Sequence, residues 1–485
     1  MTYTRKRPHR ANEVSTESLK IEEPSLAEYV IKNRLQPVDE AIHSWYRFVL
    51  GYPPHLVREY LKKFDADPDS DWILDPFCGT ATTPVEARLH GFSTLSIDAN
   101  PIMILAGQVK LSWDIDAHEV DFRLNMVLEL ASTCLRSVDL SPSAEFRNQL
   151  SLFRIDEAGH RLDNSSFTPS AFRPNLLLPP TASNLIPQGF ISGRPLLRVL
   201  AVRHAIEELL MAPQIRDFLK LALANTIVTN AGNVGFGPEV YRLPPREDAD
   251  VLTAFATTVT RMLSDLKKAV SNRPRPFPRA YVLEDDARVL SSLTDLPPMG
   301  IVITSPPYPN EKDYTRSTRL ESVLLGLINN KQDLRRVKCG LLRSNTRNIF
   351  VNDDDDKFVT RMPSIVKLAE EIEKKRIQLG KTSGFERLYH RVTLLYFGGM
   401  FRHLASLLPR LRPGARCAYV VGDQMSYFRV PIRTAHLLAD IAAKIGYRVE
   451  GIDLWRTRRS TTTRMDLEEN VLVLSRKEKH GGKNA

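Results

Sequence analysis

The chain has 485 residues, 42% of them apolar, which is too long for one small module and enough to bury a large core. No apolar run approaches the ~18–20 residues of a membrane-spanning helix, and the basic start Thr2-Tyr3-Thr4-Arg5-Lys6-Arg7 lacks the apolar segment of a signal peptide, so a soluble cytoplasmic protein with no membrane contact is expected. The net charge of +10 and pI of about 9.3 favour a polyanionic partner, because neutralised phosphates release counterions.

Four cysteines, Cys78, Cys134, Cys339 and Cys417, stand far apart, and no HxH or HExxH pattern occurs. Neither structural zinc, nor another metal, nor a disulfide framework is expected. In chain order, 1–25 reads as a flexible basic arm and Leu26 to about Phe64 as helical, interrupted at Pro53-Pro54. Then Trp72-Ile73-Leu74 reads as a strand, Asp75 to Thr80 as a turn, Thr83 to His90 as a helix stopped by Gly91, and Ser93 to Ile97 as the next strand. Ile102 to Ser271 is mostly helical in pattern, with a loop-rich middle from Leu140 to Pro195; Asn230 to Pro238, rich in Gly and Asn, reads as a loop. Short β runs return at Arg279–Leu283, Gly300–Ile303 and Arg416–Val421, and Tyr447–Trp455 with Asn470–Leu474 suit a terminal antiparallel pair. Strands alternating with helices predict an α/β fold with a doubly wound, mostly parallel sheet. Residues 26–103, 272–313 and 385–476 would form the catalytic domain. Segments 104–271 and 314–384 would be largely helical insertions, and 477–485 a basic tail.

The first βα turn of such a sheet lies where ligands bind, and Gly79-Thr80-Ala81 supplies the small residues a close backbone approach needs. Asp75, at the strand end, can accept from an ammonium group, and Asp98, after the next strand, suits a bidentate contact to ribose hydroxyls. A dinucleotide site is disfavoured, because G-x-G-x-x-G is absent.

Asp75-Pro76-Phe77-Cys78-Gly79-Thr80-Ala81-Thr82-Thr83 resembles the D-P-F-x-G-x-G-T cofactor motif of site-specific DNA amino-methyltransferases, the cytosine-N4 and adenine-N6 family; Ala81 stands where that family more often has glycine. The resemblance implies a Rossmann-like methyltransferase sheet, S-adenosylmethionine as cofactor, and roles for Asp75, Phe77, Gly79, Thr80 and Asp98 in holding it. Upstream, His43-Ser44-Trp45-Tyr46 resembles the segment that packs on the methionine end, which assigns Trp45 to the cofactor site. Glu284-Asp285-Asp286-Ala287 follows the third strand, where the family's Asp-Ala pair would put Asp286 near the adenine amino group.

Ile301-Val302-Ile303 runs into Thr304-Ser305-Pro306-Pro307-Tyr308. Two prolines fix the backbone and remove two N–H donors, so this loop presents carbonyl oxygens. Hydrogen bonds from an amino group to Ser305 and to the Pro306 carbonyl would make its nitrogen more tetrahedral and aim the lone pair at the methyl donor; Tyr308 would stack on the extruded base, worth ~1–3 kcal/mol. None of the cysteines follows a proline, which excludes the carbon-5 cytosine chemistry. The Ser-Pro-Pro-Tyr form resembles the cytosine-N4 group. Adenine N6 is the runner-up; an RNA amino-methyltransferase and a non-catalytic DNA-binding protein on the same fold stand behind it. The cofactor motif precedes the catalytic motif here, whereas many Ser-Pro-Pro-Tyr enzymes have the reverse order.

Double-stranded DNA is the implied partner, with a cognate restriction endonuclease or defence-system proteins beside it. Arg316 and Arg319 follow the catalytic loop, and Arg456, Arg458, Arg459 and Arg464 belong to the closing hairpin; all six are expected to meet DNA. Further basic clusters occur at Arg273-Arg275-Arg279, Arg335-Arg336-Lys338 and Arg343-Arg347. Target recognition is expected in one of the two insertions.

Overall fold

The computed structural model describes residues 35–46, 51–137, 176–237, 239–271, 273, 275–294, 296–459 and 466–478. The expected arm 1–25, most of the loop-rich middle, Arg464 and nearly all of the basic tail lie outside these.

Seven strands form one sheet in the order β5-β2-β1-β6-β7-β9-β8, with β1 at Trp72–Asp75, β2 at Ser93–Asp98, β5 at Ala280–Glu284, β6 at Met299–Thr304, β7 at Leu411–Gly422, β8 at Arg448–Arg459 and β9 at Asp466–Ser475. A separate ribbon pairs β3 (Val234–Phe236) with β4 (Val240–Arg242). Strands β5, β2, β1, β6 and β7 run parallel; β9 is antiparallel to both β7 and β8. This is the doubly wound, mostly parallel α/β sheet that was expected.

Both faces of the sheet are covered, which explains the nearly continuous apolar runs of its central strands. Side chains alternate with the pleat. Ile73, Ile301, Ile303, Ala418, Val420, Val471 and Val473 face the helix Pro54–Lys63 through Leu56, Val57, Tyr60 and Leu61. Leu74, Val302, Cys417, Tyr419, Val421, Leu472 and Leu474 face the opposite layer, built from helices Pro363–Gln378, Tyr389–Leu407 and Thr434–Ile445. A third cluster joins helices Ala117–Ser137, Gly193–Glu208, Pro213–Thr226 and Val251–Val270 to Pro101–Lys110 and Val282 of β5. Each large apolar side chain buried in these layers stabilises the fold by ~1.5–3 kcal/mol.

Several expectations change. Pro37–Asp39 and His43–Trp45 form two 3-10 turns rather than a helix, and Pro53-Pro54 opens a helix instead of interrupting one, proline being suited to a first turn. The stretch Asn230 to Pro238 is not one loop: it takes in the end of a π-helix, Ile227–Ala231, and strand β3. The helix Pro101–Lys110 runs through the expected boundary at 104 and packs on β2 and β5 as their crossover helix. Segment 314–384 is built into the second layer, since Ile365, Leu368 and Ile372 share a core with Val302. In its acidic run, residues 353–356, Asp353 takes Arg343 and Asp355 takes Arg288 and Arg402, while Asp354 pairs with Lys357 at the surface.

Strand order reverses between β1 and β6: the chain leaves β1 towards β2 and β5, and β6 towards β7. Ligands bind at such a switch point, beyond the carboxyl ends of the strands. The two sequence motifs are the loops that leave β1 and β6, so the topology brings them to one crevice.

Candidate active site

The loop after β1 is shaped by positive backbone angles at Gly79 (φ 48°) and Ala81 (φ 67°). The second costs an L-residue ~1–2 kcal/mol, which is the reason for glycine at that place in the family motif. The Gly79 N–H donates to Asp98 Oδ2 at 2.9 Å, and the Asn100 N–H to Asp98 Oδ1 at 2.8 Å. These bonds turn the Asp98 carboxylate into a cavity of about 220 Å³. Burial pushes its pKa up to about 6.

The cavity is lined at one end by Phe77, Gly79, Thr80, Asp98, Met103 and Asp285 to Arg288, and at the other by Ser305 to Tyr308, Lys312, Arg456, Arg458 and Glu469. Asp98 keeps about two of its roughly four acceptor sites for ribose hydroxyls, and Phe77, Met103 and Ala287 offer apolar wall to a base. This donor set fits S-adenosylmethionine.

Two of the expected cofactor residues stand elsewhere. Asp75 is 0% exposed and absent from the cavity wall. Its Oδ1 accepts from Thr304 Oγ1 at 2.6 Å and the Phe77 N–H at 3.2 Å, and its Oδ2 from the Tyr52 hydroxyl at 3.0 Å. Burial pushes its pKa up to about 7 despite these donors. Asp75 therefore ties three segments together rather than meeting an ammonium group. Trp45 is equally buried: its ring lies edge-on to Phe218 at 5.5 Å and its Nε1–H donates to Asp265 at 3.2 Å. It is a core residue because the 3-10 turn that carries it faces the helical layer; Gly51 and Tyr52 reach the cavity instead. Asp286 does line the cavity, but its carboxylate is engaged by Arg288 through Nε at 2.9 Å and Nη2 at 2.6 Å. Arg288 in turn bonds Asp355 at 2.7 Å.

In the second motif, Ser305 Oγ donates to the Val420 carbonyl at 3.0 Å. Its hydrogen is spent there, so towards the cavity the oxygen can only accept. The Tyr308 N–H donates to the Tyr314 hydroxyl at 3.3 Å, and the Tyr308 hydroxyl to Glu469 Oε1 at 2.9 Å. Burial first, then the Glu469 charge, holds the Tyr308 pKa well above its ordinary value, so the hydroxyl remains a donor.

Of the arginines expected at DNA, Arg456 and Arg458 line the cavity. Arg456 Nε pairs with Glu469 Oε2, and Arg458 Nη2 donates to the Asp423 carbonyl at 2.9 Å. Arg459 is exposed at the end of β8. Arg316 lies outside the cavity wall, 3.7 Å from Glu239, and Arg319 folds back onto Thr315. Other basic clusters are partly structural: Arg343 is buried against Asp353, Lys338 pairs with Asp313, and Arg273 caps carbonyls of Leu89 and Ala269.

Three residues at the site carried no role in the sequence reading. Lys110 is buried and donates to the carbonyls of His43 (3.2 Å), Tyr46 (2.7 Å) and Thr80 (2.9 Å), strapping the upstream segment to the cofactor loop. Tyr52 bonds Asp75, and Glu469 bonds Tyr308. Only the place of Tyr52 beside Pro53-Pro54 gave any local signal; the other two depend on contacts across the fold.

The chain is 25% identical over 434 residues to the type II methyltransferase M.BsoBI of Geobacillus stearothermophilus, covering 84% of this chain and 79% of that protein. It is 28% identical over 160 residues to the type II methyltransferase M.AvaI of a Nostoc species, 31% of either chain. The chain is thus similar to type II methyltransferases over most of its length, the likeness that was expected. No protein-family model matches. Among solved structures, TrmN of Thermus thermophilus matches with 11% identity and a TM-score of 0.24, over 87% of this chain and 48% of that one.

Proposed function

We propose that the protein is a site-specific DNA methyltransferase that acts on the exocyclic N4 of cytosine in a base extruded from the duplex. S-adenosylmethionine supplies the methyl group, made electrophilic by its sulfonium. The observation that carries the reading is one cavity whose wall includes both Asp98 and Ser305 to Tyr308. Phe77, Gly79, Thr80 and Asp98 hold the cofactor. Asp286 acts there through Arg288, and Asp75 by fixing the loop.

Ser305 and the Pro306 carbonyl accept the two N–H bonds of the target amino group. That arrangement makes the nitrogen more tetrahedral and directs its lone pair to the methyl donor. Positioning of this kind supplies much of the acceleration, since well-oriented reactions gain ~7–11 kcal/mol. No strong base is required, because the proton leaves during or after transfer. Pro306 and Pro307 keep the loop rigid, and Tyr308 stacks on the base. Arg456, Arg458 and Arg459 meet backbone phosphate, and Arg464, Arg316 and Arg319 are further DNA contacts. Serine before the two prolines favours cytosine N4 over adenine N6.

The relatives are type II methyltransferases by name, which supports a restriction-modification role beside a cognate endonuclease, with the cytoplasm as the expected place. Among the described residues no helix is long and apolar enough to cross a membrane.

The purified protein is incubated with labelled cofactor and duplex DNA of mixed sequence, and the product is digested to nucleosides and weighed. N4-methylcytosine is the expected product. N6-methyladenine overturns the base assignment, and transfer to tRNA but to no DNA overturns the substrate.

A further inference from the structure

The end of the tyrosine ring that would face the target base is tied to a carboxylate from a distant strand. Tyr308 hangs from the catalytic loop, and its hydroxyl donates to Glu469 Oε1 on β9 at 2.9 Å. The other oxygen, Oε2, is held by Arg456 Nε on β8. Glu469 is 9% exposed and shares the cavity wall with Ser305, Pro306 and Pro307.

The ring is confined from below as well. Glu469 lies opposite Gly422 in the β7–β9 register. A Cβ on Gly422 would come within 3.0 Å of Tyr308 Cε2. The ring therefore rests on the bare backbone of β7. The hydroxyl bond to Glu469 fixes the far end of the side chain and so restrains χ1, while the packing on Gly422 restrains rotation of the ring about χ2.

We infer that Glu469 is a positioning residue: oriented by Arg456, it clamps the Tyr308 hydroxyl and keeps the ring in place as a preformed platform for the extruded base. This rests on the reading of Tyr308 as the stacking residue. Without the clamp, the ring would have to be ordered at each binding event. Immobilising one such side chain costs ~0.5–1.5 kcal/mol, which corresponds to roughly a two- to tenfold loss of rate.

The test is a mutant cycle on the full chain, read by single-turnover transfer, by cofactor affinity, and by fluorescence of a duplex with 2-aminopurine at the target position. Stacking on an aromatic ring quenches that probe. Glu469→Ala and Tyr308→Phe are each expected to slow transfer roughly two- to tenfold, with cofactor affinity unchanged and the probe brighter than with the unaltered protein. The double variant should be no slower than the slower single one. Glu469→Gln keeps an oxygen for the hydroxyl and should recover part of the rate; should Glu469→Ala fail to fold, this variant and Tyr308→Phe complete the cycle. Multiplying losses, a lowered cofactor affinity, or a quenched probe in Glu469→Ala would overturn the clamp. Absence of transfer to any DNA by the unaltered protein overturns the DNA reading, and this inference with it; normal transfer by Glu469→Ala overturns this inference alone.

Discussion

Thr304 and Asp75 stand 229 positions apart in the chain, and their side chains meet at 2.6 Å. The bond joins the last residue of β6 to the last residue of β1, directly behind the two loops that form the cavity. A buried side-chain hydrogen bond thus adds to the β1–β6 strand pairing in holding the two loops together, with the Tyr52 hydroxyl and Phe77 N–H on the same carboxylate.

Asp75→Ala should lower stability by ~2–4 kcal/mol, because three donors lose their acceptor and a buried unsatisfied donor costs ~1–3 kcal/mol. Thr304→Val should cost ~1 kcal/mol. Denaturant unfolding of the single and double variants reads both, and the double should fall short of the sum, since the two residues share one bond. Simple additivity would mean that the bond contributes nothing.

Cofactor affinity should depend on pH through Asp98. Its pKa is raised to about 6, so the carboxyl takes a proton as pH falls through that value and loses acceptor capacity. The association constant should be flat above the transition and fall below it, by up to about tenfold per pH unit. Asp98→Asn should bind more weakly with no such transition. Calorimetry across the range gives both curves.

Ser305→Ala should leave cofactor binding intact and slow transfer ~10–100-fold, the value of one lost hydrogen bond of ~1–3 kcal/mol at the reacting nitrogen. Tyr308→Ala should act similarly through ~1–3 kcal/mol of lost stacking. Cofactor titration beside a transfer assay separates the two ends of the cavity. Parallel loss of both properties in either variant would contradict the assignment.

Gly422→Ala should displace the Tyr308 ring, since the added methyl meets Cε2 at 3.0 Å. Overpacking of this kind costs ~1–3 kcal/mol. The expected outcome is slower transfer with unchanged cofactor affinity and a largely retained melting temperature.

Arg458→Ala should weaken DNA binding and lower the slope of log affinity against log salt by ~1, the signature of one lost phosphate contact. An unchanged slope would assign Arg458 to holding the Asp423 carbonyl alone.

Much of this architecture was legible residue by residue. The run Trp72 to Asp98 reads as strand, turn, helix and strand because its signals are local: apolar alternation, small turn residues and a glycine after the helix. The loop Ser305 to Tyr308 is equally local, since two prolines dictate its backbone wherever it sits. Asn230 to Pro238 misled because glycine and asparagine mark turns as well as the close approaches of a packed ribbon. Asp75 misled for a related reason: a carboxylate at a strand end can face either the ligand or the neighbouring strand, and sequence spacing does not distinguish the two.

The amino-acid sequence by itself determined the strands of the sheet and the two motif loops, all through short-range patterns. Tertiary structure decided which strand order the sheet takes and which acid faces the cavity. Asp98 is turned into the cavity by backbone donors of Gly79 and Asn100, whereas Asp75 is drawn inward by Thr304 from a strand far away in the chain. It also decided that Trp45 belongs to the core, and that Glu469 comes to Tyr308. Those outcomes depend on strand pairing across long separations, and nothing in the neighbouring residues records it.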